Sequence, residues 1–404
     1  MNDRDPDIVW IANKSWEDFG IDQRMVKEMD RYARILWVDP PVSPATATRR
    51  RFGVARTVRP TLSQINKRLI RLTPAALPGM TRVGVRASTA PLVRAQVRWA
   101  LQRTGTLPVA VVSTSLIDVL GRWGNGVVNA LHGTDDYVAG AELMGLSARR
   151  LRAQEQQALK QADVVTALSP ALAERWSALR GRPVPLIPNG CTPVKVRAYS
   201  AASAIKLLPR PVVGLVGRLN ARIDLDIVEA IADSGFSLLI VGPHNPQWEP
   251  RRFSALTARS VVHYVGRVPE DEVPAYIAAT DIGITPYVDS PFNRASFPLK
   301  TLDYLSAGRP AVTTALPTAQ WLYEDLLSAN QGSAPDHILA LASDRHAFIK
   351  ALRRIVGDPE KGDTRATGRA DLEPAHAECC RAFAARHSWS RRADDLAAAI
   401  GLTG

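Results

Sequence analysis

The sequence predicts an α/β protein made of two doubly wound parallel sheets, and three observations carry that prediction. At 404 residues the chain exceeds what one hydrophobic core usually organises. Short apolar runs alternate with segments of helical composition, and they do so in two successive series. Between the series, from Cys191 to Arg210, the pattern lapses into a polar connector rich in Ala and Ser. With 46% apolar and 22% charged residues the composition is that of a globular chain.

The first series opens with DIVWIA (7–12), read as a buried strand, and a helix from Ile21 to Arg31. RILWVDPP is the second strand, stopped by Pro40 and Pro41. VAVVSTS (109–115), GVVNALHG (126–133) and DVVTALS (163–169) are further short strands, and SARRLRAQEQQALKQA between the last two has helical spacing. The second series restarts with PVVGLVGR (211–218), a helix from Asp224 to Ser234, and FSLLIVGP (236–243). VVHYVGRV, PEDEVPAYIAATD, IGITPY and SFPLKTLDYLSAGRPAVTT follow in order. Apolar strands alternating with helices argue for parallel sheets covered on both faces. The expected division is 1–195, then 205–380, with 381–404 a helix returning toward the first domain. Ligands of open α/β sheets bind beyond the carboxyl ends of the strands, so the expected site is a cleft between two Rossmann-like domains.

The charge is uneven. From Pro40 to Ile117 there is no Asp or Glu, yet Arg49, Arg50, Arg51, Arg56, Arg59, Lys67, Arg68, Arg71, Arg82, Arg86, Arg94, Arg98 and Arg103 all fall there. Such a stretch attracts anionic partners, or it is simply an arginine-rich surface. Only Phe52 and Trp99 interleave with the arginines between 49 and 103, which argues against nucleic acid. The expectation is an anionic membrane surface met through 49–103. Cys191, Cys379 and Cys380 show neither a disulfide framework nor metal spacing. The acidic N-terminus lacks the features of a signal peptide, and no run of about 18 apolar residues occurs. A cytoplasmic protein, at most peripheral at the inner face of the plasma membrane, is expected.

The stretch 296–314 carries the most chemistry. Ser296 is a suitable N-cap and Pro298 suits a first turn; the helix then runs to about Ala307 and Gly308 ends it. A helix start beside the strand ends is an anion site. Lys300 and Asp303 share one face, so Lys300 suits a diphosphate and Asp303 a pair of ribose hydroxyls; a plain ion pair is the bland alternative. Gly217 and Arg218 stand where a strand ends, and Arg can clamp phosphate oxygens with two donors.

This ordered series resembles the donor domain of GT-B glycosyltransferases, closest to the retaining families that use nucleotide sugars. It consists of a strand ending in Gly-Arg, then LLIVGP, VHYVGRVPEDEVPAYIAATDIGITPY and FPLKTLDYLSAGRPAVTT. ADVVTALSPALAERW, PLIPNG and FAARHSWSRRADDL resemble other parts of such enzymes, so the likeness spans about 126 to 398. It implies that Arg218 and Lys300 hold the donor diphosphate, with Gly217 and Arg222 beside them. Asp303 takes the place of the family's ribose-binding Glu. Backbone groups of Phe297, Leu299 and Lys300 support the phosphates, and Gly266, Arg267 and Val268 line the base pocket. One departure stands out. Many relatives carry a second Glu eight residues before the ribose one, and here that position is Ala295.

The first half is then expected to serve the acceptor. His132, Asp135 and Asp136 follow a strand end, where they would orient the acceptor hydroxyl or stabilise positive charge on the sugar. Equally, Thr134 or Asp135 would N-cap the next helix. Trp16, Gly20 and Gln23, in the loop after the first strand, are acceptor-side candidates, whereas Trp10, Trp37 and Trp99 read as packing. Asp224 and Asp226 sit on a helix start and Asp135-Asp136 are adjacent, so no metal and no tightly bound cofactor is expected. The activity implied is transfer of a sugar from a nucleoside-diphosphate sugar to a hydroxyl acceptor, whether small or lipid-linked. The alternatives are a sugar-nucleotide epimerase of the same fold and a non-catalytic relative that binds the nucleotide sugar.

Overall fold

The computed structural model describes residues 7–18, 20–43, 59–79, 82, 84–193, 208–329, 336–357 and 374–402. Arg49, Arg50, Arg51 and Arg56 of the basic stretch lie outside the described residues. The chain divides into two compact units, Met1–Pro188 with Trp389–Gly404, and Asn189–Ser388.

The first unit is built on a seven-stranded sheet in the order β3-β4-β2-β1-β5-β6-β7. In chain order these strands are β1 (Asp7–Ile11), β2 (Arg34–Val38), β3 (Thr61–Asn66), β4 (Leu69–Thr73), β5 (Pro108–Ser113), β6 (Val128–Gly133) and β7 (Val164–Ala167). Neighbours pair in parallel, with β1 at the centre and buried along its whole length. The exception is β3, which runs antiparallel to β4 at the edge. That hairpin corrects the expectation of a purely parallel sheet. Its outer strand, TLSQIN, is exposed along most of its length, so it needs no apolar pattern. The flanking helices include α1 (Ile21–Met29), α2 (Thr89–Thr104), α3 (Ala148–Gln161) and α4 (Pro170–Arg180).

Several arginines of the basic stretch are neutralised within this unit. Arg71 pairs with Asp39 and Glu17, Arg68 with Asp30, and Arg94 with Asp118. The acids come from outside the acid-free stretch, so the local sequence overstates the charge offered to a partner.

The second unit carries six parallel strands in the order β10-β9-β8-β11-β12-β13. They are β8 (Val212–Val216), β9 (Ser237–Val241), β10 (Val262–Gly266), β11 (Ile282–Thr285), β12 (Ala311–Thr314) and β13 (Leu339–Ala342). Val213, Leu215, Leu238, Ile240, Ile282, Ile284 and Val312 meet Ile231, Phe348 and Leu352 from the covering helices in one core. Those helices are α5 (Leu225–Asp233), α6 (Pro250–Thr257), α7 (Val273–Ala279), α8 (Pro291–Ala295), α9 (Leu299–Ser306), α10 (Pro317–Ala329), α11 (Arg345–Val356) and α12 (Pro374–Arg386).

Two local expectations need correction. The polar composition of Tyr287 to Ala295 predicts a loop, but the segment contains the short helix α8, capped by Ser290, whose hydroxyl accepts from the Asn293 amide at 3.2 Å. Ser296 does not cap α9. Its hydroxyl turns back to donate to the Phe292 carbonyl at 2.8 Å, closing α8, and Pro298 stands at the N-cap of α9 instead.

The last helix, α13 (Trp389–Ala399), belongs to the first unit and packs on α1. Trp389, Ala393, Leu396 and Ala397 are its buried face. Arg31 donates to the Ser390 carbonyl at 2.7 Å and pairs with Asp394. No helix among the described residues is long and apolar enough to cross a membrane.

Candidate functional site

In the second unit the chain leaves β8 toward β9 and β10 on one side, then returns to place β11 on the other. The reversal makes a crevice beyond the carboxyl ends of β8 and β11, where open α/β sheets take their ligands. A cavity lies there, lined by Gly217, Arg218, Asn220, Arg222, Thr285, Tyr287 and Lys300 among others. Four residues singled out from the sequence thus share one concavity.

Buried hydrogen bonds fix its walls. The Tyr304 hydroxyl donates to the Gly214 carbonyl at 2.9 Å and accepts from the Val216 amide at 2.8 Å, tying α9 to the end of β8. Burial pushes its pKa up well beyond the ordinary tyrosine value, so it stays a donor. The Tyr304 ring lies so close over Gly283 that an added Cβ would sit 2.1 Å from it. Thr301 on α9 also meets Thr285 on β11, hydroxyl to hydroxyl, at 3.0 Å. Gly217 has φ of 147°, and a Cβ on Gly242 would fall 1.8 Å from the Gly217 carbonyl oxygen. Only a backbone free of side chains fits at that strand end.

On this frame Lys300 and Asp303 are ion-paired, Nζ to Oδ2 at 2.7 Å, with the Asp303 side chain largely buried. Arg218 is exposed. Arg222 is committed to the fold: its Nε donates to Asn293 Oδ1 at 2.8 Å and its guanidinium lies 4.9 Å from the Tyr287 ring centre and 5.0 Å from that of Phe292. Asn293 returns two hydrogen bonds, to the carbonyls of Arg222 and Val288. Arg222 and Asn293 therefore staple the loop that borders the cavity. Phe297 is buried, and its carbonyl takes up the Leu299 amide at 2.9 Å. Gly266, with φ of 78°, turns the chain after β10 and is joined to Gly242 by a 2.8 Å backbone bond. Arg267 and Val268 follow it; none of these three lines the cavity. Ala295 is buried at the end of α8.

The first unit has its own reversal between β1 and β5. A small cavity there is lined by Asn13, Lys14, Ser15, Gly20, Asp22, Gln23, Thr134 and Asp135 among others. Beneath it runs a polar network with no obvious sequence signature. Asn13 Nδ2 donates to Thr134 Oγ1 at 2.9 Å and Tyr137 Oη at 2.6 Å, and Thr114 Oγ1 donates to Asp22 Oδ2 at 2.6 Å. Burial raises the pKa of Asp22 from its ordinary value, opposed by the bonds from Thr114 and the Asn13 amide. Asp22 was hidden in the sequence as one more acid in a helix's first turn.

The other first-unit candidates divide. Asp135 and Gly20 border the cavity. Gln23 does too, but it is buried and bonded to both the Gly20 amide and the Trp16 carbonyl, so it holds the loop. Trp16 packs edge-on against Trp37 at 5.0 Å, its amide donating to Asp39. Asp136 is buried, paired with Arg175 at 3.1 Å, and accepts from the Ala139 amide at 2.9 Å. Asp136 thus caps the turn after β6, and the next helix, α3, is N-capped by Ser147 rather than by Thr134 or Asp135. His132 lies inside the sheet, Nδ1 at 2.8 Å from Thr166 Oγ1, and burial lowers its pKa to about 4. It does not line the first-unit cavity and carries no charge at neutral pH. Asp224 accepts from the Asp226 and Ile227 amides as the N-cap of α5. Among the described residues no group of three or more His, Cys, Asp or Glu is placed to hold a metal ion.

Two units of this kind, each an open α/β sheet, define the GT-B class of glycosyltransferase fold. Solved structures agree over nearly the full length. Sucrose-phosphate synthase from Thermosynechococcus elongatus superposes with a TM-score of 0.67 at 18% identity, covering 97% of this chain and 98% of that one. Anabaena HepE in complex with UDP and glucose gives a TM-score of 0.65 at 16% identity, covering 98% and 99%. Residues 210–358 match the family described as Glycosyl transferases group 1. TuaH of Bacillus subtilis (strain 168), named for teichuronic acid biosynthesis, is 36% identical over 109 residues, covering 26% of this chain and 27% of TuaH. The 2-deoxystreptamine glucosyltransferase of Streptomyces kanamyceticus is 26% identical over 228 residues, covering 51% and 54%. The chain thus spans about half the length, or less, of these curated relatives. It has the GT-B fold, and its residues 210–358 are similar to the group 1 glycosyltransferases.

Proposed function

We propose that the protein transfers a sugar from a nucleoside-diphosphate sugar to a hydroxyl acceptor with retention of configuration. The observation that carries the reading is the gathering of Gly217, Arg218 and Lys300 around the crevice between β8 and β11, with Asp303 against Lys300. Lys300 and Arg218 would hold the diphosphate, and Asp303, freed in part from Lys300, would take the ribose hydroxyls. In the reaction the bond from the sugar's anomeric carbon to the phosphate oxygen breaks, and its electron pair passes to the diphosphate. The acceptor oxygen bonds to the same face of that carbon, and its proton goes to the departing phosphate oxygen. Charge growing on the diphosphate would be met by Lys300, Arg218 and the start of α9 without a metal. Groups aimed at developing charge contribute about 3–4 kcal/mol each.

HepE, bound to UDP, makes UDP the first nucleotide to try. The name of TuaH makes a cell-envelope glycan the first acceptor class. The test is a thermal-shift series with UDP, GDP, TDP, ADP and CMP on the wild type, Lys300→Ala and Asp303→Ala. One diphosphate is expected to raise the Tm of the wild type by several degrees, as about 2.7 kcal/mol of ligand stabilisation would at a hundredfold excess over Kd. Both variants should respond less. Silence across the panel in folded protein would sink the donor site, nucleotide binding with no turnover on any acceptor would leave the non-catalytic reading, and turnover of the donor alone without transfer would favour the epimerase. Arg218→Ala and Lys300→Ala should each lower kcat by about a hundredfold or more. The basic stretch from 49 to 103 would meet an anionic leaflet at the inner face of the membrane, and flotation of an Arg49→Glu, Arg50→Glu, Arg51→Glu, Arg56→Glu variant tests it.

A further inference from the structure

After β6 the chain makes a series of turns before α3 begins. Backbone hydrogen bonds recur along them. Gly140 donates to the Asp136 carbonyl at 2.9 Å, Met144 to Gly140 at 3.1 Å, and Leu146 to Ala141 at 2.8 Å. The root is firm, because Asp136 is buried against Arg175 and Ala141 is buried as well. Yet this ordered backbone holds Leu143, Met144 and Leu146 out into solvent, with 52%, 41% and 50% of their surfaces exposed. Three large apolar side chains within four residues are not scattered surface hydrophobics; such concentrations mark interaction sites.

Charge identifies the partner. Arg149, Arg150 and Arg152 follow at once on the first turn of α3, whose Ser147 cap accepts from the Arg150 amide. The Arg86 guanidinium adds to them: the Arg150 pKa is lowered first by burial and then by the positive charge of Arg86. Among the described residues none of these four arginines has an ion-pair partner, in contrast to Arg68, Arg71 and Arg94. Glu142 is the one acid between Asp136 and Glu155, and Glu155 is itself buried against Arg175. A protein partner's contact core would be depleted of charge. An apolar turn followed at once by unpaired arginines is complementary to a leaflet of anionic lipid, where acyl chains and phosphates lie a few ångströms apart.

We propose that the turn 142–146 and the start of α3 form a bilayer-docking surface, with Leu143, Met144 and Leu146 entering the interface and Arg86, Arg149, Arg150 and Arg152 meeting lipid phosphates. This surface is distinct from residues 49–56 and independent of the donor-site reading. The test is flotation of the full chain with vesicles of phosphatidylglycerol and phosphatidylcholine, against phosphatidylcholine alone, at low and physiological salt. The wild type is expected to float with the anionic vesicles only. Combined Leu143→Glu, Met144→Glu and Leu146→Glu, or combined Arg149→Glu, Arg150→Glu and Arg152→Glu, should each weaken binding by more than about tenfold. Leu107→Glu, which changes an 80% exposed leucine just before β5, should bind as the wild type does. The melting temperature without ligand should match the wild type in all three variants, which separates loss of docking from loss of fold. The proposal is overturned if the wild type binds no vesicle, or if both triple variants float like the wild type. It also falls if sedimentation without lipid shows a wild-type dimer that the apolar variant splits, which would make the patch a contact between copies.

Discussion

Asp22 and His132 show what burial does to a single ionisable group. Both favour the neutral form, and both leave a pH signature with a definite sign. The pKa of Asp22 is raised on folding, so its contribution to stability declines as pH rises from the ordinary carboxylate range of about 4 toward the raised value. Asp22→Asn keeps an acceptor for Thr114 and removes that cost. It should raise stability at neutral pH by about 1–3 kcal/mol, the gain vanishing in acid, as read from urea melts across pH. The pKa of His132 is lowered to about 4, so its contribution is complete above about 6.5 and is lost as pH falls toward 4. His132→Gln should flatten that acid limb, worth about 3 kcal/mol at most. Residues such as these explain why the first-unit site was less legible than the second. Lys300 and Gly217 announce themselves by spacing within an ordered series. Asn13, Asp22, Thr114 and Tyr137 meet only when three strand ends converge, and nothing in their local sequence marks them.

At the scale of elements, position is set by contacts that leave no room. Helix α9 lies where it does because the Tyr304 ring covers Gly283 and its hydroxyl bridges Gly214 and Val216. Gly283→Ala should destabilise the protein by about 3 kcal/mol or more, since the new Cβ meets a buried ring with nowhere to go. Tyr304→Phe leaves the Val216 amide without that acceptor and should cost about 1–3 kcal/mol, measured by chemical denaturation. Gly242→Ala should cost more and should also weaken nucleotide-induced thermal shifts, because it displaces Gly217. The strands of both sheets' interiors were legible because burial on two faces requires continuous apolar runs, as in SLLIV of β9. The β3–β4 hairpin was not: β3 exposes most of its residues, and arginines of the neighbouring chain mask the pattern of β4. Likewise α8 has too few residues to show a period, and only its Ser290-Pro291 start could have revealed it.

For the molecule as a whole, the path of the chain matters as much as the two sheets. The second unit is one continuous stretch, whereas the first is completed by α13, which comes after it. Leu396 is fully buried at that junction with α1, so Leu396→Asp should destabilise the first unit by several kcal/mol. Melting followed by tryptophan fluorescence should then split into two transitions, the lower belonging to the first unit, while nucleotide still shifts the upper one. The arrangement also sets an order of events at the ribosome. Strand β1 and helix α1 are synthesised before the second unit, yet α1 lacks its covering helix until the second unit has emerged. The second unit has every residue it needs before α13 is made, and domains fold as units during synthesis. The unit begun first is therefore completed after the one that follows it. Throughout that interval its uncovered apolar face is the natural place for a chaperone to hold the nascent chain.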